Sequence, residues 1–348
     1  RLSETTESAD EHLKFQNHIT ELLQHHLIEM QINDEGEARY LMLEPIRQYA
    51  LSCLQTSADL ETMRRRHCTY YLEKVEAAQP QMISSAATLA WVETEIGNLR
   101  AALRRALEMG WTDLAARLAI ALTLFWAIHN RYMAEGRQWL DQIFRAAGFP
   151  QLSLPYQAQL LDSAGTLAYL QGNYPQAEQY HQRCLSLADA LVDPHLRALA
   201  LFGLSNAAMN LGKYKRVMEL VEACLPIARQ AGDRWLTAMA LNNLAEVTRQ
   251  QGDLEHAEQL FTESLELLSE LDARGFMAIP LAGLGVLAQS RQDYPQALAM
   301  HTRSIRLACA VDDRRVLAVS LEKTAEVLAK MGQPNRAAQI LGAADALR

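Results

Sequence analysis

QGNYPQAEQY (171–180), LGKYKRVMEL (211–220), QGDLEHAEQL (251–260), RQDYPQALAM (291–300) and MGQPNRAAQI (331–340) follow one another at a fixed step of 40 residues. An internal period of this size is the mark of a stacked array and takes precedence over any isolated motif. Its leading column is Gly172, Gly212, Gly252, Gln292 and Gly332; two positions later come Tyr174, Tyr214, Leu254, Tyr294 and Pro334. Three further on stand Ala177, Val217, Ala257, Ala297 and Ala337. Upstream, a leucine keeps its place at 161, 201, 241, 281 and 321, and four residues on comes Gly165, Ser205, Ala245, Gly285 or Ala325.

These columns read as a helix-turn-helix unit. The glycine supplies a left-handed turn, the Ala after it packs beneath the first helix, and the small column lets a neighbouring helix backbone approach. A second small column, Cys184, Cys224, Ser264, Ser304 and Ala344, lies in the second helix and reads two cysteines as packing residues. Asp193-Pro194, Asp233 and Asp313 read as caps of the following helices.

The pattern resembles the tetratricopeptide repeat, with Leu then Gly or Ala in the first helix and Gly-x-Tyr-x-x-Ala at the turn. It departs from that family in its longer step and in lacking the usual proline near the end of the second helix. The resemblance implies an all-α, right-handed superhelical array of tetratricopeptide-like helix pairs over 151–348, in five 40-residue units. NRYMAEGRQWLDQIF (130–144) echoes the turn at 173–185 as a degenerate sixth unit, with Trp126 and Trp139 as core residues, inside a helical bridge over 59–150.

Residues 1–58 break the helical rule. A helix near 17–26 leads into two short apolar segments flanking Asn33-Asp34-Glu35-Gly36, then a helix near 45–54, which reads as the back half of a winged helix with a small β-hairpin. Arg39, Tyr40, Met42, Leu43, Glu44, Ile46, Arg47, Tyr49 and Ala50 resemble the signature of the winged-helix segment in signal-transduction ATPases with numerous domains, the bacterial regulators related to NB-ARC proteins. That resemblance implies an upstream nucleotide-binding module in cis, faced by Arg39, Glu44, Arg47 and Tyr49. It also implies a role in transcription regulation.

Composition agrees with an all-α reading: glycine (16) and proline (10) are scarce, 49% of residues are apolar and 21% charged. A net charge of -8 is a poor footprint for a phosphate backbone, so no direct nucleic-acid partner is expected. Five cysteines without a C-x-x-C pair suit a reducing, cytoplasmic compartment. The longest largely apolar stretch, 118–128, broken only by Thr123, falls short of the ~20 residues that span a bilayer. The chain carries no Gly-x-x-x-x-Gly-Lys-Ser/Thr and no His-Glu-x-x-His. Ser205 in GLSNA falls mid-helix, and Arg64 to Arg66 read as a solvated face. The chain is therefore expected to be no enzyme and to need no cofactor or metal.

Residues expected to line a ligand groove, from the first helix of each unit, are Asp162, Thr166, Tyr169, Phe202, Asn206, Met209, Asn210, Asn242, Glu246 and Arg249, followed by Glu322 and Glu326. Their mixture of amides, acids and aromatic faces suits a peptide, protein or small effector, in a sensing arm that relays binding to the ATPase. The other reading is a passive scaffold or homo-oligomerisation platform.

Overall fold

The computed structural model describes residues 16–32, 38–57 and 59–347, and leaves the side chain of Arg39 outside that description. The chain divides into two compact units, Arg1–Arg66 and His67–Arg348.

In the first unit, helix α1 runs over 16–24 and is followed by strands β1 (Glu29–Ile32) and β2 (Ala38–Leu41). The strands pair antiparallel from Glu29 opposite Leu41 to Ile32 opposite Ala38. The expected turn at Asn33 to Gly36 lies outside the described residues. Helix α2 (Glu44–Gln55) begins where an acidic residue and Pro45 favour a first turn. Ile28 is the only buried side chain among the described residues of this unit, while Met30, Ile32, Tyr40, Leu43 and Tyr49 are exposed. A two-stranded hairpin with so little covered surface has small stability of its own. Helix α3 (Leu60–Ala78) carries the chain into the second unit.

The second unit is helical throughout its described residues. Helices α4 (Ala86–Thr94), α5 (Ile96–Glu108), α6 (Thr112–Ile128) and α7 (Asn130–Arg145) precede five pairs. The first helices of the pairs are α8 (Leu154–Leu170), α10 (Pro194–Asn210), α12 (Arg234–Gln250), α14 (Arg274–Ser290) and α16 (Arg314–Lys330). Their partners are α9 (Tyr174–Leu191), α11 (Tyr214–Ala231), α13 (Leu254–Glu270), α15 (Tyr294–Ala310) and α17 (Pro334–Asp345). The five first helices start and stop in strict 40-residue register, so the sequence period is the structural period. The bridge shares its core with the first pair: Leu72, Leu99, Leu103, Leu122, Trp126 and Leu140 form one cluster with Leu160, Ala164 and Leu167. Trp126 and Trp139 are both buried, the former against Gly136 of α7.

Each intra-pair turn places its leading residue in the left-handed region, at φ 77, 69, 91, 63 and 78° for Gly172, Gly212, Gly252, Gln292 and Gly332. Asp193, Asp233 and Asp313 cap the next helix through hydrogen bonds from the N–H groups of Leu196, Leu236 and Val316 (3.0, 2.9 and 3.0 Å). The links between pairs carry a second left-handed column that the sequence does not advertise: Val192, Gly232, Asp272 and Asp312. Only one of the four is glycine, so the other positions hold a conformation that L side chains disfavour. Val192, β-branched and 86% exposed, is the most strained of them. Val192→Gly is expected to stabilise the chain by about 1 kcal/mol, relief of strain exceeding the extra freedom of the unfolded glycine. A lower thermal midpoint for the variant would contradict this.

The small column of the second helices is also a hydrogen-bonding column. Cys224 Sγ, Ser264 Oγ and Ser304 Oγ donate to the carbonyls of Ala198, Ala238 and Ala278 (3.3, 2.7 and 2.7 Å), tying each second helix to its own first helix. The small column of the first helices works differently from the expectation of backbone approach. Gly165 and Gly285 lie against the rings of His181 and His301, where a Cβ would come within 2.6 and 2.5 Å. Gly203 and Gly283, on the next pair's first helix, lie against the rings of His181 and Phe261. A column in the second helices that carries rings at His181, Phe261 and His301 therefore fills hollows left by glycines on the flanking helices.

Candidate functional site

The first helices present residues at i, i+4 and i+7 on one face, such as Asp162, Thr166 and Tyr169 on α8, and the 40-residue register repeats that face from pair to pair. Hydrogen bonds between neighbouring pairs join it laterally. Asn210 Nδ2 donates to the Tyr169 hydroxyl (3.3 Å), Asn243 Nδ2 to Asn206 Oδ1 (2.7 Å), and Gln289 Nε2 to Glu326 (3.2 Å). The amide-rich character read from the sequence is thus a polar band, joined by hydrogen bonds across α8, α10 and α12 and again between α14 and α16.

Individual residues differ in how free they are. Asp162 lies 3.2 Å from His181 Nδ1, without a hydrogen bond between them. Thr166 is half-buried one turn on. Phe202 and Met209 belong to the hydrophobic core of the central pairs, Phe202 packed edge-on against Trp235, which meets Phe276 in the same way. Asn206 accepts from Asn243. Asn242 is 9% exposed, and among the described residues its side chain makes no hydrogen bond, leaving Oδ1 buried without a partner. Such a buried, unpaired amide oxygen is uncommon and costly. Arg249 is matched bidentately by Glu246 (2.9 and 2.5 Å), and Lys323 lies 2.6 Å from Glu326. The Glu246 hydrogen bond raises the Arg249 pKa, holding the guanidinium charged.

Sequence reasoning misses Arg315, in the first turn of α16. Its guanidinium lies over the Tyr169 ring at 5.8 Å from the centroid, so the fifth pair meets the first. Tyr169, ahead of Asp313 and Tyr174, raises its pKa. Burial holds the His129 pKa below its ordinary value against the opposing pulls of the Phe125 carbonyl and, less, of Asp312. Nothing in the local sequence signals this contact, which follows only from how far the array turns over five pairs.

In the first unit, Arg47 pairs bidentately with Glu44 (2.7 and 2.6 Å), both exposed, and the Glu44 pKa falls to about 2 through hydrogen bonds from Arg47 and Gln48. Tyr49 is exposed, and the side chain of Arg39 lies outside the described residues. Cys184 and Cys224 are buried free thiols, the latter pushed up to about 12 by burial, which suits packing rather than reactivity. Among the described residues no cluster of three or more His, Cys, Asp or Glu could hold a metal ion, and no helix is long and apolar enough to cross a membrane.

Comparison with known proteins bears on the array. Models of the tetratricopeptide repeat match residues 158–194 and 196–270, covering α8 and α9 and then α10 to α13. Both stretches are similar to tetratricopeptide repeats. The strict register extends the same unit through α17, and the whole forms a tetratricopeptide-like solenoid.

Proteins named as HTH-type transcriptional regulators in Mycobacterium bovis and Mycobacterium tuberculosis are 30% identical over 181 residues, which is 49% of this chain. The match covers 20% of each relative's length. Among solved structures, NprR in complex with its cognate peptide NprX superposes with a TM-score of 0.56 at 16% identity, over 66% of each chain. A Rap protein complexed with competence and sporulation factor gives 0.54 at 12% identity, over 82% of this chain and 96% of that one. At such identities these structures speak to the fold alone.

Proposed function

We propose that the chain is the sensing and regulatory arm of a signal-transduction ATPase acting in transcription, and that the polar band on its first helices binds a peptide or protein effector. The observation that carries the reading is the band itself. Amides at 206, 210, 242 and 289 suit the alternating donors and acceptors of an extended peptide backbone, and Asn242 holds an amide with no internal partner. The likeness to a fold captured elsewhere with a cognate peptide, and the regulator relatives, support it.

The exposed Glu44, Arg47 and Tyr49 of α2, together with Arg39, are offered as the surface that meets the nucleotide-binding module. An upstream reading frame encoding Gly-x-x-x-x-Gly-Lys-Ser/Thr supports that part, and one without it sinks it.

The groove is tested by probing an array of immobilised short peptides with the chain, then measuring the retained sequences against Asn242→Ala. Since Asn242 has no internal hydrogen bond to lose, the variant is expected to fold normally and to bind about tenfold more weakly, the worth of one net hydrogen bond. Undiminished binding would remove the central band from the site.

A further inference from the structure

Arg315 differs from the other cations on the band in having unspent donors. Arg249 and Lys323 are each satisfied by a glutamate within 3 Å. Arg315 donates no hydrogen bond among the described residues, and its nearest carboxylate, Asp313 Oδ2, stands at 3.9 Å. Asp313 is already engaged through Oδ1 in capping the Val316 N–H, and Asp312 lies with Arg314 at 3.6 Å. Around the guanidinium are the face of Tyr169 and, tilted against it with centroids 5.8 Å apart, the ring of Tyr174. The Tyr169 hydroxyl accepts from Asn210, which leaves its own proton free to donate. A guanidinium without a hydrogen bond among the described residues, lying over the Tyr169 face, and the phenolic O–H of that same ring thus stand between the first and fifth pairs. The side chain keeps 43% of its surface open to solvent, so a ligand can reach it.

We propose that Arg315 and the Tyr169 hydroxyl form an anion-receiving subsite that takes one carboxylate of a peptide lying along the band. A planar guanidinium matches a carboxylate in two parallel hydrogen bonds. The inference rests on the peptide-binding reading above and adds the charge of the ligand. The carboxylate has two sources, a free C-terminus or an Asp or Glu side chain.

Sequences retained from the array are made in three forms: a C-terminal acid lacking Asp and Glu, the same sequence as its amide, and the amide with one Glu. Their affinities are measured by fluorescence polarisation with the unaltered chain, with Arg315→Gln, and with Arg229→Gln, whose guanidinium pairs with Glu263 away from the band. A carboxylate form binding about tenfold more tightly than the plain amide, with the preference erased by R315Q and kept by R229Q, supports the subsite and names the source. Equal binding of all three forms, or a uniform loss in R315Q that leaves the preference intact, overturns it while the groove reading stands. Retention of no peptide overturns both.

Discussion

Phe261→Ala is expected to destabilise the chain by about 3–5 kcal/mol, because the ring is 2% exposed and fills a hollow that Gly283 cannot close. Its partner gives the sharper measurement. Gly283→Ala alone drives a Cβ into the Phe261 ring and is expected to cost about 1–3 kcal/mol. In the Phe261→Ala background the clash is gone, and the same substitution should stabilise by about 1 kcal/mol through helix propensity and partial filling of the void. The sign reversal, read from unfolding midpoints or from hydrogen exchange in α13 and α14, is the signature of ring-into-glycine packing between pairs. Additive effects would mean that Phe261 and Gly283 are not in direct contact.

Acid should weaken the array through His301. Burial, with a smaller push from Lys323 and an opposing pull from Glu326, lowers its pKa to about 4, and the ring is fully buried with neither nitrogen hydrogen-bonded among the described residues. The unfolded imidazole titrates near its ordinary 6.5. Between these values the unfolded chain takes up a proton that the folded chain refuses. Stability is therefore full above about pH 6.5 and falls as the pH drops, by about 2 kcal/mol at pH 5 and about 3 kcal/mol at pH 4. His301→Leu, of similar volume and with Leu341 as precedent at that position in the last pair, should flatten this slope by the same amount. Identical pH profiles for the two proteins, from urea unfolding between pH 7 and 4.5, would assign the acid sensitivity elsewhere.

The array was legible because its determinants are local. A glycine turn needs a left-handed residue, a cap needs an Asp three residues before the amide it serves, and both recur at fixed spacing. Trp126 and Trp139 followed from the echo of the repeat in 130–144. The ring column was not legible, because the columns containing Gly165, Gly203 and Gly283 carry information only when paired with residues on other helices. Val192 in a left-handed link defied reading for another reason: its type argues against the conformation it adopts. Within the candidate site, Asn206, Asn210 and Asn242 were read from their places on a periodic helix, while Asn243 and Gln289 were not. Arg315 was missed because its meeting with Tyr169 accumulates from small rotations over five pairs and has no local signature. The residues offered to an upstream module came from a resemblance, and their exposure alone does not name a partner.

The uneven burial of the thiols has a practical side. Of the five, only Cys53 on α2 and Cys309 on α15 are exposed, so maleimide dyes would attach at one point in each compact unit without engineering. Resonance energy transfer between that native donor and acceptor would then report, one molecule at a time, whether occupying the repeats moves one part of the polypeptide against the other.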